Sequence, residues 1–281
     1  MRRNLLREAL RDGRPTFGTN TYNVWPSVVE MIGYTGAFDY VQFTAEYNPF
    51  DLAALDNLCR AAELHGLSMM IKLDQEPRKF LAQRAIGSGF QAVKFADVRT
   101  VSDAKECVAA VRPDTPTGGG TYGSSDRRFA YWAETAGERY VQALNDIVII
   151  LMIEKRSALD HIDEILAVRG IDMVQWGPTD FSMSSGRAGQ FNHPDVKAAE
   201  RHLIERSQAA GIPAIAALDR PDQAPYYVNL GVTHFDMGSD LWILHDWLKE
   251  NGQELRRIVG DKQEPREQKR VRPTELSTKR K

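Results

Sequence analysis

Two carboxylates occupy matching places in this chain. Glu154 closes the apolar run 146–153, and Asp180 lies in the turn Trp176-Gly-Pro-Thr-Asp-Phe-Ser182 after the next apolar run, 171–175. An apolar stretch that ends abruptly on an acid puts that acid at the end of a buried strand. Two successive β/α units doing so gather the pair at one end of a barrel. Two such oxygen donors, with water and a chelating substrate, hold a hard divalent cation. The plainer alternative makes Glu154 a helix-capping acid and Asp180 the start of an Asx-turn. Repetition at consecutive strand ends favours the metal.

The elements that must position these acids are readable from apolar runs and their punctuation. Strands are expected at 15–20, 38–44, 67–73, 91–96, 147–153, 171–175, 213–217 and 233–237. Helices are expected at 4–11, 26–35, 51–65, 77–87, 101–111, 134–145, 158–168, 194–210, 223–230 and 241–259, with loops at 112–128 and up to 191. Each strand is followed by a helix, and the connections are too long for hairpins, so the sheet is parallel. Eight β/α units close most naturally into an α/β TIM barrel, whose chemistry sits at the C-terminal strand ends. The polar residues expected there are Asn20, Tyr22, Glu46, Tyr47, Lys72, Asp74, Asp97, Glu154, Asp180, Asp219, Ser239 and Asp240.

Size and composition fit one such domain over 1–260. The chain has 281 residues, 42% apolar and 26% charged, enough for one barrel core plus extensions. Residues 261–281 carry eight Lys/Arg and four Asp/Glu, a net of +4, so the remainder of the −2 chain is about −6. That tail has no apolar periodicity and is expected to be disordered. Its charge is too diluted to mark a nucleic-acid partner. Cys59 and Cys107 lie in amphipathic patterns without CxxC spacing, as buried free thiols of a reducing cytoplasm do. No signal peptide or membrane span is expected.

The block Ile153–Ser182 resembles the core of the HpcH/HpaI aldolase family, as do 189–196, 38–52 and 235–240. Members of this family are metal-dependent TIM-barrel lyases of the phosphoenolpyruvate/pyruvate superfamily. The resemblance implies cleavage or formation of a carbon–carbon bond next to a 2-oxo acid, through a metal-stabilised enolate. It places the metal on Glu154 and Asp180, with Mg²⁺ or Mn²⁺ foremost and Co²⁺ or Zn²⁺ as lesser candidates. It places the substrate carboxylate on backbone amides of Gly177-Pro-Thr179-Asp180. It also implies a homo-oligomer that exchanges C-terminal helices, and an aldehyde as second partner.

The proton-transfer side departs from the family pattern. The family's catalytic His is Tyr47, its strand-end Arg is Lys72, its supporting acid falls near Gly87, and a Gln two residues before the metal acid is Met152. Lys72 keeps a positive charge for a developing oxyanion but loses the guanidinium fork. Tyr47 is expected to donate a proton or bind a hydroxyl, and Glu46 to hold a metal-bound water or replace the lost base. Arg127 or Arg128, after the glycine run 118–120, is expected to reach a distal anionic group of the substrate, with a solvated charge pair as the alternative. That run has neither nucleotide-binding spacing. Two other readings stay open: a Schiff-base lyase using Lys72, and a barrel that binds, decarboxylates or isomerises a 2-oxo acid without aldol chemistry.

Overall fold

A computed structural model describes residues 3–131 and 135–261. Short apolar runs, buried along most of their length, form eight strands. These are β1 (Thr16–Thr21), β2 (Tyr40–Thr44), β3 (Ser68–Leu73), β4 (Ala92–Phe95), β5 (Val148–Ile153), β6 (Met173–Trp176), β7 (Ala214–Leu218) and β8 (His234–Ser239). All pair in parallel and in sequence order, and β8 closes on β1, so the fold is the expected (β/α)8 barrel. Closure is irregular between Gly18 and Asn20. Gly18 faces the Tyr40 ring, which a Cβ there would meet at 2.1 Å, so only glycine admits that ring to the barrel interior.

The principal helices are α1 (Leu5–Arg11), α2 (Pro26–Tyr34), α3 (Leu52–Leu64), α4 (Arg78–Ser88), α5 (Val101–Val111), α6 (Glu138–Asn145), α7 (Arg156–Asp160), α8 (Ile162–Leu166), α9 (Pro178–Ser184), α10 (Pro194–Ala209), α11 (Ala224–Asn229) and α12 (Asp240–Ile258). Local chemistry sets their starts. Asp51 accepts the Ala54 N–H, and Thr100 forms a capping box with Asp103. The outward faces of the strands and inward faces of the helices make one apolar layer that includes Val41, Phe43, Leu55, Ile86, Val93, Ile149 and Leu203. Inside the barrel the lower half is apolar as well. Tyr40, Met70, Ala92, Val148, Ile150, Met173 and Ile215 pack against Leu6 of α1. That helix is clamped across the N-terminal end by Asn4, which donates to the Gln91 and Asp146 carbonyls, and by Arg7, 2.6 Å from both Asp172 carboxylate oxygens.

Two elements differ from expectation. The helix expected over 158–168 is two short helices, broken at His161 by a non-helical backbone. The segment expected as a loop after 176 contains α9, which Pro178 opens as its first residue. The C-terminal helix α12 is partly exposed along its whole length, with Leu241, Ile243, Leu244, Trp247 and Leu248 in the open. The expected start of α6 at Glu134, and all of the basic tail beyond Asp261, lie outside the described residues. Among the described residues no helix is long and apolar enough to cross a membrane.

Candidate active site

Parallel register brings the strand ends to one rim. Lys72 of β3 pairs with Thr44 of β2 and Lys94 of β4, and Ile153 of β5 pairs with Trp176 of β6. One to three residues beyond these positions lie Glu46, Asp97 and Glu154. Each offers a carboxylate oxygen within 4.8 Å of the others. Glu154 is 2% exposed and accepts the Asp97 N–H at 2.8 Å. Burial lifts its carboxyl to about 7; Lys72 and the Asp97 amide pull the other way, and Glu46 and Asp180 add to the rise. Asp97 is buried too and holds a left-handed backbone, φ 57°, unusual for a residue with a side chain.

Asp180 stands at the same mouth, in the first turn of α9. Its Oδ1 accepts from Lys155 Nζ at 2.7 Å, and Lys155 also pairs with Asp97. Burial opposes the charge on Lys155, but Asp180 and Asp97 outweigh it and the amine stays protonated. No side-chain bond caps α9, so the Thr179 and Asp180 amides belong to an open helix start, a setting that favours an anion. Gly177 spends its own N–H on the Ile153 carbonyl, at 3.1 Å. Its contribution is space: a Cβ there would lie 2.5 Å from Glu154 Cβ and 2.6 Å from Glu154 Oε2.

Lys72 and Glu46 form a close ion pair, both side chains largely buried. Burial works against the Lys72 charge, yet Glu154 and Glu46 outweigh it and hold the amine cationic. Glu46 is raised above the usual carboxylate range by burial, with Lys72 opposing. Tyr47 is 84% exposed, with φ 60°. Its amide donates to Asp74 Oδ1 at 3.0 Å. Asp97, then burial and Glu46, push its phenol upward, which keeps the hydroxyl protonated and works against use as a base.

A cavity of about 760 Å³ lies beside this mouth along β7 and β8, lined in part by Asn20, Tyr22, Trp176, Thr179, Asp219 and Ser239 but by none of Glu46, Lys72, Asp97, Glu154 or Asp180. Among the described residues, the buried Trp176 Nε1 and Ser239 Oγ have no hydrogen-bond partner, so both remain available to a ligand or water. Asp240 is structural: it takes bonds from Thr21 Oγ1, the Tyr22 amide and Asn23 Nδ2 and pins the connection after β1.

Sequence reasoning missed a polar floor beneath the mouth. Lys94, wholly buried, contacts Gln42 Oε1 and lies 3.4 Å from Asp236 Oδ2, while Asn20 Nδ2 donates to Asp236 Oδ1 at 2.8 Å. Burial draws the Lys94 amine down to about 8. Its signal was a lysine inside the apolar strand Ala92–Phe95. Lys155 was missed too, because its partners are distant in sequence.

Arg128 is a correction. Its guanidinium is buried, pairs with Glu63 and donates to the Ser88 carbonyl at 3.1 Å, at the C-terminal ends of α3 and α4. It lines a separate cavity of about 280 Å³ with Asn4 and Gln91, at the N-terminal end of the barrel. The glycine run lies away from the mouth as well. Gly120 lies so close to the Arg112 carbonyl that a Cβ would meet its oxygen at 1.8 Å. Among the described residues no histidine forms part of the mouth: His193 caps α10, His161 is exposed, and His234 bonds Thr16 at the barrel base.

Residues 30–245 match the HpcH/HpaI aldolase/citrate lyase family. The chain is 30% identical over 248 residues to a 2-keto-3-deoxy-L-rhamnonate aldolase of Escherichia coli, covering 88% of this chain and 91% of that one. It is 27% identical over 219 residues to a 5-keto-4-deoxy-D-glucarate aldolase of Shigella boydii, covering 78% and 83%. A solved HpcH/HpaI family protein from Burkholderia cenocepacia superposes with a TM-score of 0.81 at 25% identity, over 90% of this chain and 100% of that one. An aldolase of the same fold from Desulfitobacterium hafniense gives 0.81 at 22%, over 90% and 96%. Closed barrel, acid-lined mouth and extended sequence match converge, and the chain belongs to the HpcH/HpaI aldolase/citrate lyase family, as a carbon–carbon lyase of the aldolase type.

Proposed function

We propose that this protein is a divalent-metal-dependent aldolase acting on a 2-oxo acid with a hydroxylated chain, the substrate type that the names of two relatives indicate. The carrying observation is the mouth itself: three carboxylates within 4.8 Å of one another, beside a lysine held cationic. The donor set is all oxygen, which suits Mg²⁺ or Mn²⁺ before Co²⁺ or Zn²⁺. Glu154 and Asp180 would hold the metal; Glu46 and Asp97 belong to the same cluster as Glu154, whereas Asp180 stands outside it, paired with Lys155. Such an ion supplies Lewis acidity toward the 2-oxo oxygen.

The chain's own groups divide the remaining work. The Thr179 and Asp180 amides at the opening of α9, with Gly177 giving room, receive the substrate carboxylate. Lys72 stabilises negative charge as it builds on the 2-oxo oxygen. In the cleavage direction Glu46 takes the proton of the hydroxyl on the carbon that leaves as an aldehyde, and Tyr47 returns a proton to the new methyl-type carbon. The cavity toward β7 and β8 receives the rest of the chain, facing Trp176 and Ser239. Schiff-base chemistry at Lys72 is disfavoured, because amine attack needs the neutral form that Glu154 and Glu46 oppose. A second copy of the chain covering the exposed apolar residues of α12 completes the reading as a homo-oligomer.

The test is calorimetric titration of Mn²⁺ into chelator-stripped protein, with and without oxalate, followed by a cleavage panel of hydroxylated 2-oxo acids. Cleavage abolished by EDTA and restored by Mn²⁺ supports the proposal. Metal and oxalate binding without any cleavage would move the function to a 2-oxo acid binding, decarboxylating or isomerising barrel. A pH series adds a sharper expectation. Protons and metal compete for Glu154, so apparent affinity should rise up to about tenfold per pH unit below its value of about 7 and level off above it. Without metal, the same raised carboxyl favours the fold at low pH. That contribution is complete below about 4.5 and lost as pH rises through about 7.

A further inference from the structure

Four carboxylates, Glu46, Asp97, Glu154 and Asp180, meet two ammonium groups at this mouth. Lys72 is taken up by Glu46. Lys155 stands between the other two acids: its Nζ is 2.7 Å from Asp180 Oδ1 and in contact with Asp97 Oδ1, with 10% of the side chain exposed. The backbone at Lys155 is extended, φ −119°, so the side chains of Glu154 and Lys155 leave the strand end in different directions. Asp97 links the two, giving its amide to Glu154 and its carboxylate to Lys155. A dication that draws on Asp180 therefore meets an ammonium group already on it.

We propose, building on the divalent-cation reading, that Lys155 is the internal counter-ion of the metal site. It pairs with Asp97 and Asp180 while no dication is held and yields Asp180 when one binds. Arg99 also reaches Asp97, its Nη2 3.5 Å from Oδ1, so three cations face the four acids. Removing Lys155 leaves the cluster one charge more negative, and a dication only a few ångströms away is no longer opposed by that ammonium. Lys155 thereby weakens metal binding and keeps the empty acids from repelling one another.

The experiment is Mn²⁺ calorimetry at pH 8 and fixed ionic strength, on chelator-stripped full-length wild type, Lys155→Met, Lys155→Gln and Lys155→Arg. The two neutral variants should bind Mn²⁺ at least ~10-fold more tightly than wild type, the scale of one unit charge in a partly buried site. Lys155→Arg keeps the charge and should stay within about threefold of wild type. Amine-reactive labelling read by mass spectrometry tests the wild type without any substitution: modification of Lys155 should increase when Mg²⁺ is added. Equal or weaker binding by folded neutral variants, or labelling of Lys155 indifferent to Mg²⁺ that demonstrably binds, overturns the counter-ion role and leaves the metal reading standing. Failure of wild type and every variant to bind Mn²⁺ overturns the metal reading and this inference with it.

Discussion

Glu154→Gln should remove metal binding and lower turnover by more than about a hundredfold, the cost of losing even an outer partner of a metal ligand. The substitution preserves volume, and its amide oxygen can still accept the Asp97 N–H that Glu154 now accepts at 2.8 Å. The fold should therefore survive. In the absence of metal it should improve at pH 8. A carboxyl raised to about 7 by burial is ionised there at a cost of up to about 3 kcal/mol relative to its value in the unfolded chain, and Gln has no such cost. Stability up with function lost is a signature that a damaged core does not give. Thermal melts with and without Mn²⁺, beside calorimetry, read both halves. Mn²⁺ affinity equal to wild type would remove Glu154 from the metal site.

The second large effect belongs to a residue without a side chain. Gly177→Ala should weaken Mn²⁺ binding by more than about tenfold and cost about 1–3 kcal/mol of stability, as overpacking does. Its φ of −113° suits alanine, so backbone conformation is not the obstacle. Space is: the new methyl would sit 2.5 Å from Glu154 Cβ, 2.6 Å from its Oε2 and 3.0 Å from Met152 Cε. Cβ is not the far end of a flexible chain, so either the end of β5 or the opening of α9 must shift. Either shift separates Glu154 from Asp180. Gly186→Ala is the control. It has open space but φ 73°, so it should lose stability and leave metal affinity unchanged. Unaltered Mn²⁺ affinity in a folded Gly177→Ala protein would show that the turn is not held against Glu154 in solution.

The barrel was legible because its information is local. Runs such as 147–153, short and rich in β-branched residues, read as buried strands, and Asp51 or Thr100 marks a helix start within a few residues. The acids Glu154 and Asp180 were legible for the same reason, each standing where an apolar run stops. What escaped was long-range. Arg128 follows a glycine run that looks like an active-site loop, but its partner Glu63 is 65 residues away, and that pairing sends it to the far end of the barrel. Lys155 sits beside Glu154 in the sequence, yet its partner Asp180 comes from the next β/α unit and Asp97 from the previous one. Helix α9 was read as loop because seven residues carry too little periodicity to register, although Pro178 at its start was a usable sign.

The apolar plug beneath the barrel has a kinetic consequence. Leu6 and the ring of side chains from Tyr40 to Ile215 leave the interior with a floor, so among the described residues the way in lies on the other side. In such a blind-ended vessel, whatever rests deepest must arrive first and depart last. Binding then becomes a queue with a compulsory order, in which a late product blocks the exit of an earlier occupant and residence times lengthen together.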